Sequence, residues 1–329
     1  MKAIRVHELG PPEVLRFEEV EAPHPVAGEV LVRVAAAGLN YLDVYYRSGF
    51  HWGGHHRRPL PYIPGAEGAG TVVAVGTGVE RLRPGDRVAY GVSNGQGAYA
   101  QLQALPAWHL HRLPDAIGFE TAAATMQQGM TAHYLACSAV PLKPGMRVLV
   151  HAAAGGTGLL LVQIAKMMGA TVIGTASTAA KLERIRAAGA DAAIDYTQHD
   201  FAVETMKLTG GNGVDVVYDS VGKSTFERNF DCIAALGTLV IFGQASGPVP
   251  AFDTAVLNAR GSLTLMRPSL THYVASAGDV ARRAGDLFEW IAADKLAVTI
   301  ARVFPLADAV ESHRLLESRG SVGKILLVP

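Results

Sequence analysis

At 329 residues the chain is long enough for two domains, each able to bury a core of its own. Apolar residues make up 49%, charged residues 18%, and Lys plus Arg balance Asp plus Glu at 29 each, which excludes a disordered chain and leaves no basic surplus for nucleic acid. The two cysteines, Cys137 and Cys232, can build neither a disulfide framework nor a four-cysteine zinc lobe, so a reducing compartment, by default the cytoplasm, is expected. Residues 1–14 carry no cationic flank leading into an apolar stretch, and no uninterrupted apolar run reaches about 18 residues, so neither export nor membrane insertion is expected.

Residues 1 to about 113 read as short strands cut by Gly and Pro, at 29–36 (EVLVRVAA), 70–75 (GTVVAV), 87–91 (RVAYG) and 98–103, which describes a small β domain. After Pro144-Gly145 strands alternate with helices, the signature of a doubly wound parallel sheet. A strand at 147–151 leads into a Gly-rich turn and a helix at 159–168 that is apolar almost all round and must therefore be buried. Gly169 suits a left-handed cap before a second strand at 171–175. Strands at 192–195, 214–219, 238–242 and 262–266 complete a six-stranded Rossmann sheet, whose last strand offers an unpaired edge that invites a homodimer. From 271 onward the pattern is a long helix carrying Leu287, Trp290 and Ile291, a strand at 298–304, a helix to about 317 and a closing strand at 324–328.

The stretch His151-Ala152-Ala153-Ala154-Gly155-Gly156-Thr157-Gly158 lies between a β-branched strand and that apolar helix. Its phase is A-x-G-x-x-G, with Ala153, Gly155 and Gly158 in the three glycine places of a dinucleotide fingerprint. A pyrophosphate needs backbone N–H groups at a helix N-terminus, hence residues without bulk where chain meets phosphate and helix meets strand. Ala153 serves at the first place if its φ is negative. An acid after the second strand would bind the ribose 2′-OH and repel a 2′-phosphate, and none stands there. Thr175-Ala176-Ser177-Thr178 leads instead to Lys181, so NADPH is expected over NADH; the alternative is that Ser177 or Thr178 is an N-cap and Lys181 a solvated helix residue.

Several further segments occur in order: Gly10-Pro11-Pro12-Glu13-Val14-Leu15, Gly38-Leu39-Asn40 through Tyr45-Tyr46-Arg47-Ser48-Gly49, Gly65-Ala66-Glu67-Gly68-Ala69-Gly70, Pro84-Gly85-Asp86-Arg87-Val88, Val217-Tyr218-Asp219-Ser220-Val221-Gly222 and Arg267-Pro268-Ser269-Leu270. With these segments the chain resembles, over essentially its whole length, the medium-chain dehydrogenase/reductase superfamily and within it the quinone oxidoreductase, or ζ-crystallin-like, group. The resemblance implies an α/β protein: a GroES-like, β-barrel-type catalytic domain from 1–125 plus 271–329, and a Rossmann NADPH-binding domain at 126–270, with a cleft where nicotinamide meets substrate. Carried over by position, Asn40 and Tyr45 are cleft residues, and Gln128 and Thr131 open the helix beside the cofactor. Ala153, Gly155, Gly156, Thr157 and Gly158 hold the pyrophosphate, Gly174, Ser177 and Lys181 face the adenosine phosphate, and Tyr196 lies by the adenine ribose. Ser220, Phe242, Gly243 and Gln244 line the nicotinamide, which Met266, Arg267 and Pro268 close over.

Alcohol dehydrogenases of the superfamily polarise their substrate with a metal held by a Cys, a His-Glu pair and a second Cys or acid. Here Asn40 stands in the place of the first Cys and Ala66 in that of the His, leaving Glu67 alone, so no catalytic or structural zinc is expected. The loop 50–58 (FHWGGHHRR) gathers His51, His55 and His56 without a carboxylate or cysteine and reads as a solvated loop before it reads as a lid or metal site.

Without a metal or an obvious acid, the expected chemistry is hydride transfer to an acceptor that is already electron-poor, a quinone or other conjugated carbonyl. Asn40 could hydrogen-bond the acceptor oxygen, Tyr45 stack on or donate to it, and Arg267 stabilise the anion formed. Each has a plainer alternative: packing for Tyr45 beside Tyr41 and Tyr46 in a strand-like alternation, backbone capping for Asn40, and an interface or cofactor-positioning role for Arg267. Reduction of the activated C=C bond of an enone, alkenal or enoyl thioester is a second reading. A structural or RNA-binding NADPH protein is a third, opposed by the zero net charge.

Overall fold

The computed structural model describes residues 1–50, 58–91 and 97–329, and the statements below concern those residues. The histidines of the 50–58 loop lie outside them. Two compact units divide the chain, Met1–Met130 with Val274–Pro329, and Thr131–Tyr273.

The discontinuous unit is built on β1 (Lys2–Val6), β2 (Leu15–Glu19), β3 (Glu29–Gly38), β4 (Glu67–Val75), β5 (Arg87–Gly91), β6 (Leu102–Pro106) and β7 (Leu110–Arg112). The Rossmann unit contributes β8 (Arg147–Val150), β9 (Thr171–Ala176), β10 (Ala192–Asp195), β11 (Val214–Asp219), β12 (Ile233–Ile241) and β13 (Thr264–Met266), and the chain then returns as β14 (Ile300–Pro305) and β15 (Lys324–Val328). In the first unit β1 and β2 pair, and a seven-stranded sheet runs β14-β15-β3-β4-β5-β7 with β6 on β3. β3 alternates buried Val30, Val32 and Val34 with outward Leu31 and Arg33, the period of a half-buried antiparallel strand, and these valines pack with Ile4, Leu105 and Ile325.

The strand expected at 98–103 begins instead at Leu102. Gly97 sits at φ +100, and the backbone bonds of 98–101 go to separate partners: Ala98 to Gly65 O, Tyr99 to Pro64 O and Gln101 to Lys2 O. The tyrosine segment is also not strand-like. It forms the helix Tyr41–Ser48, opened by Asn40 in extended conformation and closed by Gly49 at φ +76. Asn40 N–H donates to Asp43 Oδ2 at 2.9 Å and Asp43 N–H donates to Asn40 O, so the cap residue overrides the alternation.

The Rossmann unit carries one all-parallel sheet in the order β10-β9-β8-β11-β12-β13. Numbered within the unit this is 3-2-1-4-5-6, whose reversal between β8 and β11 makes the crevice that takes ligands in such sheets. The apolar helix is Gly156–Met167, beginning earlier than the apolar run because the turn glycines join its first turn. It buries Leu159, Leu160, Leu161, Val162 and Ile164, each contributing about 1.5–3 kcal/mol. Gly169 has φ +81, as a left-handed cap requires. β13 lies at the edge of the sheet. No helix is long and apolar enough to cross a membrane.

Candidate cofactor and catalytic sites

The Gly-rich turn leaves β8 and enters the helix Gly156–Met167 through Gly155, at φ −74 and ψ 168, with no side chain capping the helix. The first helical bond runs from Leu159 N–H to Gly155 O. The amides of Gly156, Thr157 and Gly158 therefore open the helix without a side-chain cap, the arrangement that receives an anion. Ala153 is not among the residues at positive φ; the left-handed residue is Ala152, at φ 49. Gly158 is sterically required, because a Cβ there would lie 2.5 Å from Ala152 O and 2.7 Å from Ala153 Cα. Among the described residues, and its chain neighbours aside, a Cβ at Gly155 would meet Ala152 O alone, 3.3 Å away, so the space it leaves faces away from the fold. The turn thus fits a pyrophosphate.

Gly174, in β9, is buried, and a Cβ on it would strike Ile185 at 2.6 Å and Ala153 at 2.9 Å. It serves the turn by letting it sit close on β9. Thr178 caps the helix Ala179–Ala187, its hydroxyl accepting from Lys181 N–H at 3.4 Å, while Ser177 just before it is half-buried. Tyr196 follows β10, 41% exposed, with its N–H on Ala176 O at the end of β9, so 176–181 and Tyr196 border one stretch of surface. Ser220 and Phe242 are half-buried at the ends of β11 and β12, and Gly243 is a glycine because a Cβ would lie 2.7 Å from Ser220 O. Gln244 is buried, and Met266 and Pro268 are half-buried. Arg267 is exposed and its guanidinium donates to Gly243 O at 3.0 Å and to Ile241 O at 3.4 Å, which ties β13's end to the segment beside Ser220.

In the other unit the sequence singled out Asn40, Tyr45 and Gln128; it missed the group that surrounds the first. Asn40 is buried, and its Nδ2 donates to Gly38 O at 3.1 Å and to Glu67 Oε2 at 3.0 Å, while Oδ1 accepts from Lys324 Nζ at 2.8 Å. Lys324 also pairs directly with Glu67 Oε2, and Glu67 Oε1 accepts Gln127 N–H at 2.6 Å. Both amide hydrogens of Asn40 therefore have protein acceptors. The expected donation to a substrate oxygen meets an occupied amide, because β15 brings an ammonium and β4 a carboxylate to the same point. Burial lowers the Lys324 pKa, opposed by the Glu67 carboxylate. The one signal for this group in the sequence is a lysine opening an otherwise apolar strand, KILLV.

Beside it Asp43, fully buried, accepts from Asn40 N–H and from Tyr99 OH at 3.2 Å, and burial raises its pKa to about 7. Tyr99 OH stands 3.5 Å from Nε2 of buried His313, whose pKa burial lowers to about 3. Tyr46 is the packing tyrosine, buried under the Arg58 guanidinium, while Tyr45 is half-buried between Tyr41 and Phe50, at centroid distances of 6.0 and 5.4 Å. Gln128 and Thr131 sit half-buried on the helix Met126–Tyr134, and Gln128 Oε1 is a buried acceptor that meets no hydrogen-bond donor among the described residues.

A zinc ion does not fit this arrangement. Glu67 spends both oxygens on protein donors and already faces the Lys324 cation, and no group of three or more His, Cys, Asp or Glu able to hold a metal occurs among the described residues.

Residues 26–139 match the alcohol dehydrogenase GroES-like domain family, and residues 156–287 match a family described as zinc-binding dehydrogenase. Quinone oxidoreductase 1 of Escherichia coli (strain K12) is 40% identical over 331 residues, spanning 99% of each chain. The quinone oxidoreductase of Pseudomonas aeruginosa is 42% identical, over 100% of this chain and 99% of that one. The crystal structure of Escherichia coli quinone oxidoreductase complexed with NADPH aligns at a TM-score of 0.96 and 40% identity, covering 100% of both chains. Full-length identity at this level, on a sheet and turn of this geometry, places the chain in the quinone oxidoreductase family of the medium-chain dehydrogenase/reductases.

Proposed function

We propose that this protein is an NADPH-dependent quinone reductase that works without zinc. The observation that carries the reading is the full-length identity of about 40% to quinone oxidoreductases, joined to a turn whose geometry suits a pyrophosphate. The catalytic domain is 1–125 plus 271–329 and the cofactor domain 126–270. Ala153, Gly155, Gly156, Thr157 and Gly158 take the pyrophosphate, Ser177 and Lys181 the 2′-phosphate, Tyr196 the adenosine, and Ser220, Phe242, Gly243, Gln244 and Met266 to Pro268 the nicotinamide. Asn40, Gln128 and Thr131 complete the cofactor set.

When bound, NADPH supplies a hydride, and a quinone is electron-poor enough to accept it without a Lewis acid. The protein's part is to orient and to balance charge. Tyr45, half-buried where Tyr46 is buried, serves the acceptor oxygen. Asn40 contributes through Oδ1, with its amide plane set by Lys324 and Glu67. Arg267 supports the Ser220–Gly243 contact and adds positive charge where an anion develops. The edge strand β13 pairs with its copy in a homodimer, and the protein works in the cytoplasm, with no nucleic-acid partner.

The test is NADPH oxidation against 1,4-benzoquinone, phenanthrenequinone, an alkenal and crotonyl thioester, with NADH in parallel. Turnover of both quinones with NADPH preferred is expected; turnover of the alkenal or thioester alone sinks the quinone reading.

A further inference from the structure

Four buried side chains form one directed hydrogen-bonded chain across the Rossmann unit. Asn229 Nδ2 donates to Asp219 Oδ2 at 2.7 Å, which leaves Asn229 Oδ1 facing His151 Nε2 at 2.8 Å. A carboxamide cannot exchange those roles against a carboxylate, so His151 carries its proton on Nε2 and its Nδ1 accepts from the Thr175 hydroxyl at 3.1 Å. None of the four exceeds 2% exposure, and the Phe201 ring meets the imidazole edge to face at 4.6 Å. Burial holds the histidine pKa below its ordinary value, against the opposing Asp219 charge and Asn229 hydrogen bond, and the neutral ring is the form the chain of donors needs.

Each end of this chain holds a backbone segment. Asp219 Oδ1 accepts the N–H groups of Val221 at 2.7 Å and Gly222 at 3.0 Å, which shapes the loop that begins at Ser220, and Thr225 Oγ1 donates to its other oxygen. At the far end, Thr175 O accepts Ala153 N–H at 3.1 Å, inside the phosphate turn, and His151 N–H itself donates to Tyr218 O at 3.0 Å. The imidazole stands between the turn after β8 and the loop after β11, on the two sides of the point where the strand order reverses.

We propose that His151 is a positioning residue for the dinucleotide: as a neutral bridge from Thr175 to Asn229 it sets the spacing between the phosphate turn and the 220–222 loop that one NADPH molecule must span. This deepens the NADPH reading above and rests on it. The turn and the loop each keep backbone bonds of their own without the imidazole. The backbone bond from His151 N–H to Tyr218 O also remains; what is lost is the side-chain link that holds their spacing tightly, so a ligand that touches both ends suffers and a ligand that touches one does not.

The experiment compares dissociation constants for NADPH and for 2′,5′-ADP, which reaches only the adenosine end, by calorimetric titration of wild type, His151→Leu, His151→Gln and Thr175→Val. Thr175→Val keeps the shape of the side chain and removes one link, so it stands in should His151→Leu fold poorly. In His151→Leu and Thr175→Val, NADPH binding is expected to weaken about tenfold, the effect of one buried hydrogen bond, with 2′,5′-ADP held within about twofold. His151→Gln, whose amide can still donate to Asn229, recovers most of the loss. Equal weakening of both ligands, or unchanged NADPH affinity in folded Thr175→Val, overturns the proposal. The titrations involve no acceptor, so a protein that bound NADPH and reduced no quinone would remove the activity reading and leave this result standing.

Discussion

The ammonium of Lys324 and the carboxylate of Glu67 form an ion pair in which the side chains are 1% and 0% exposed. Breaking such a pair strands a charge in a site that water does not reach. Lys324→Met should cost about 3–5 kcal/mol in urea denaturation. Adding Glu67→Gln should restore part of that loss, since the amide still offers an acceptor to Asn40. If the two losses instead add, the pair is not coupled as described.

Asp43 and His313 give pH slopes of opposite sign. Asp43, raised to about 7 from 3.8, holds its proton in the fold where the unfolded chain has lost it, so its contribution is complete below 3.8 and disappears as pH rises through about 7. His313, lowered to about 3 from 6.5, stays neutral where the unfolded chain is protonated, so its contribution is complete above 6.5 and disappears as pH falls through about 3. Asp43→Asn removes the first slope and leaves the second. Its stability, from urea midpoints at several pH values, should therefore fall more steeply than wild type between about pH 6.5 and 4. Parallel curves would contradict the assignment.

The two turn glycines should respond differently to one methyl group. Gly158→Ala puts a Cβ into backbone at Ala152 and Ala153 and should lose about 1–3 kcal/mol together with NADPH binding. Gly155→Ala meets one atom at 3.3 Å and should melt within a few degrees of wild type, yet bind NADPH at least about tenfold more weakly, because its methyl occupies the side proposed for phosphate. Thermal melts with NADPH titrations separate the two.

Lys181→Ala tests the proposed 2′-phosphate pocket. One charged hydrogen bond is worth about 1.5–3 kcal/mol, so kcat/KM for NADPH should fall about 10- to 100-fold with the NADH value unchanged. A variant that still prefers NADPH rejects the role of Lys181 and leaves Thr178, observed as the helix cap, as the reason for that sequence.

The parallel sheet was legible because short, largely apolar segments alternate with helical ones: 192–195 and 214–219 coincide with β10 and β11. β12 begins earlier than its apolar run, at Ile233, since its pairing to β11 shifts register there and Leu236 takes φ 64, neither of which hydrophobic spacing reveals. The helix at Tyr41 escaped because eight residues hold barely two turns and the deciding bond is a cap. In the site, the turn was readable from local spacing and the missing zinc ligands from residue type. The Asn40–Glu67–Lys324 group was not, because its members come from three distant segments and only pairing of β15 with β3 and of β3 with β4 brings them together.

That pairing also orders events during synthesis. Glu67 waits 257 residues for its counter-ion and Asn40 waits 284 for the donor to its oxygen, while the Rossmann unit is contiguous and has its whole sheet available once Tyr273 has emerged. On a ribosome the cofactor unit can close first, and the sheet of the β unit stays two strands and one cation short until β15 arrives, because β14 joins that sheet only through β15. A nascent chain stalled before Lys324 should therefore protect Thr131–Tyr273 from protease and leave Met1–Met130 open to it.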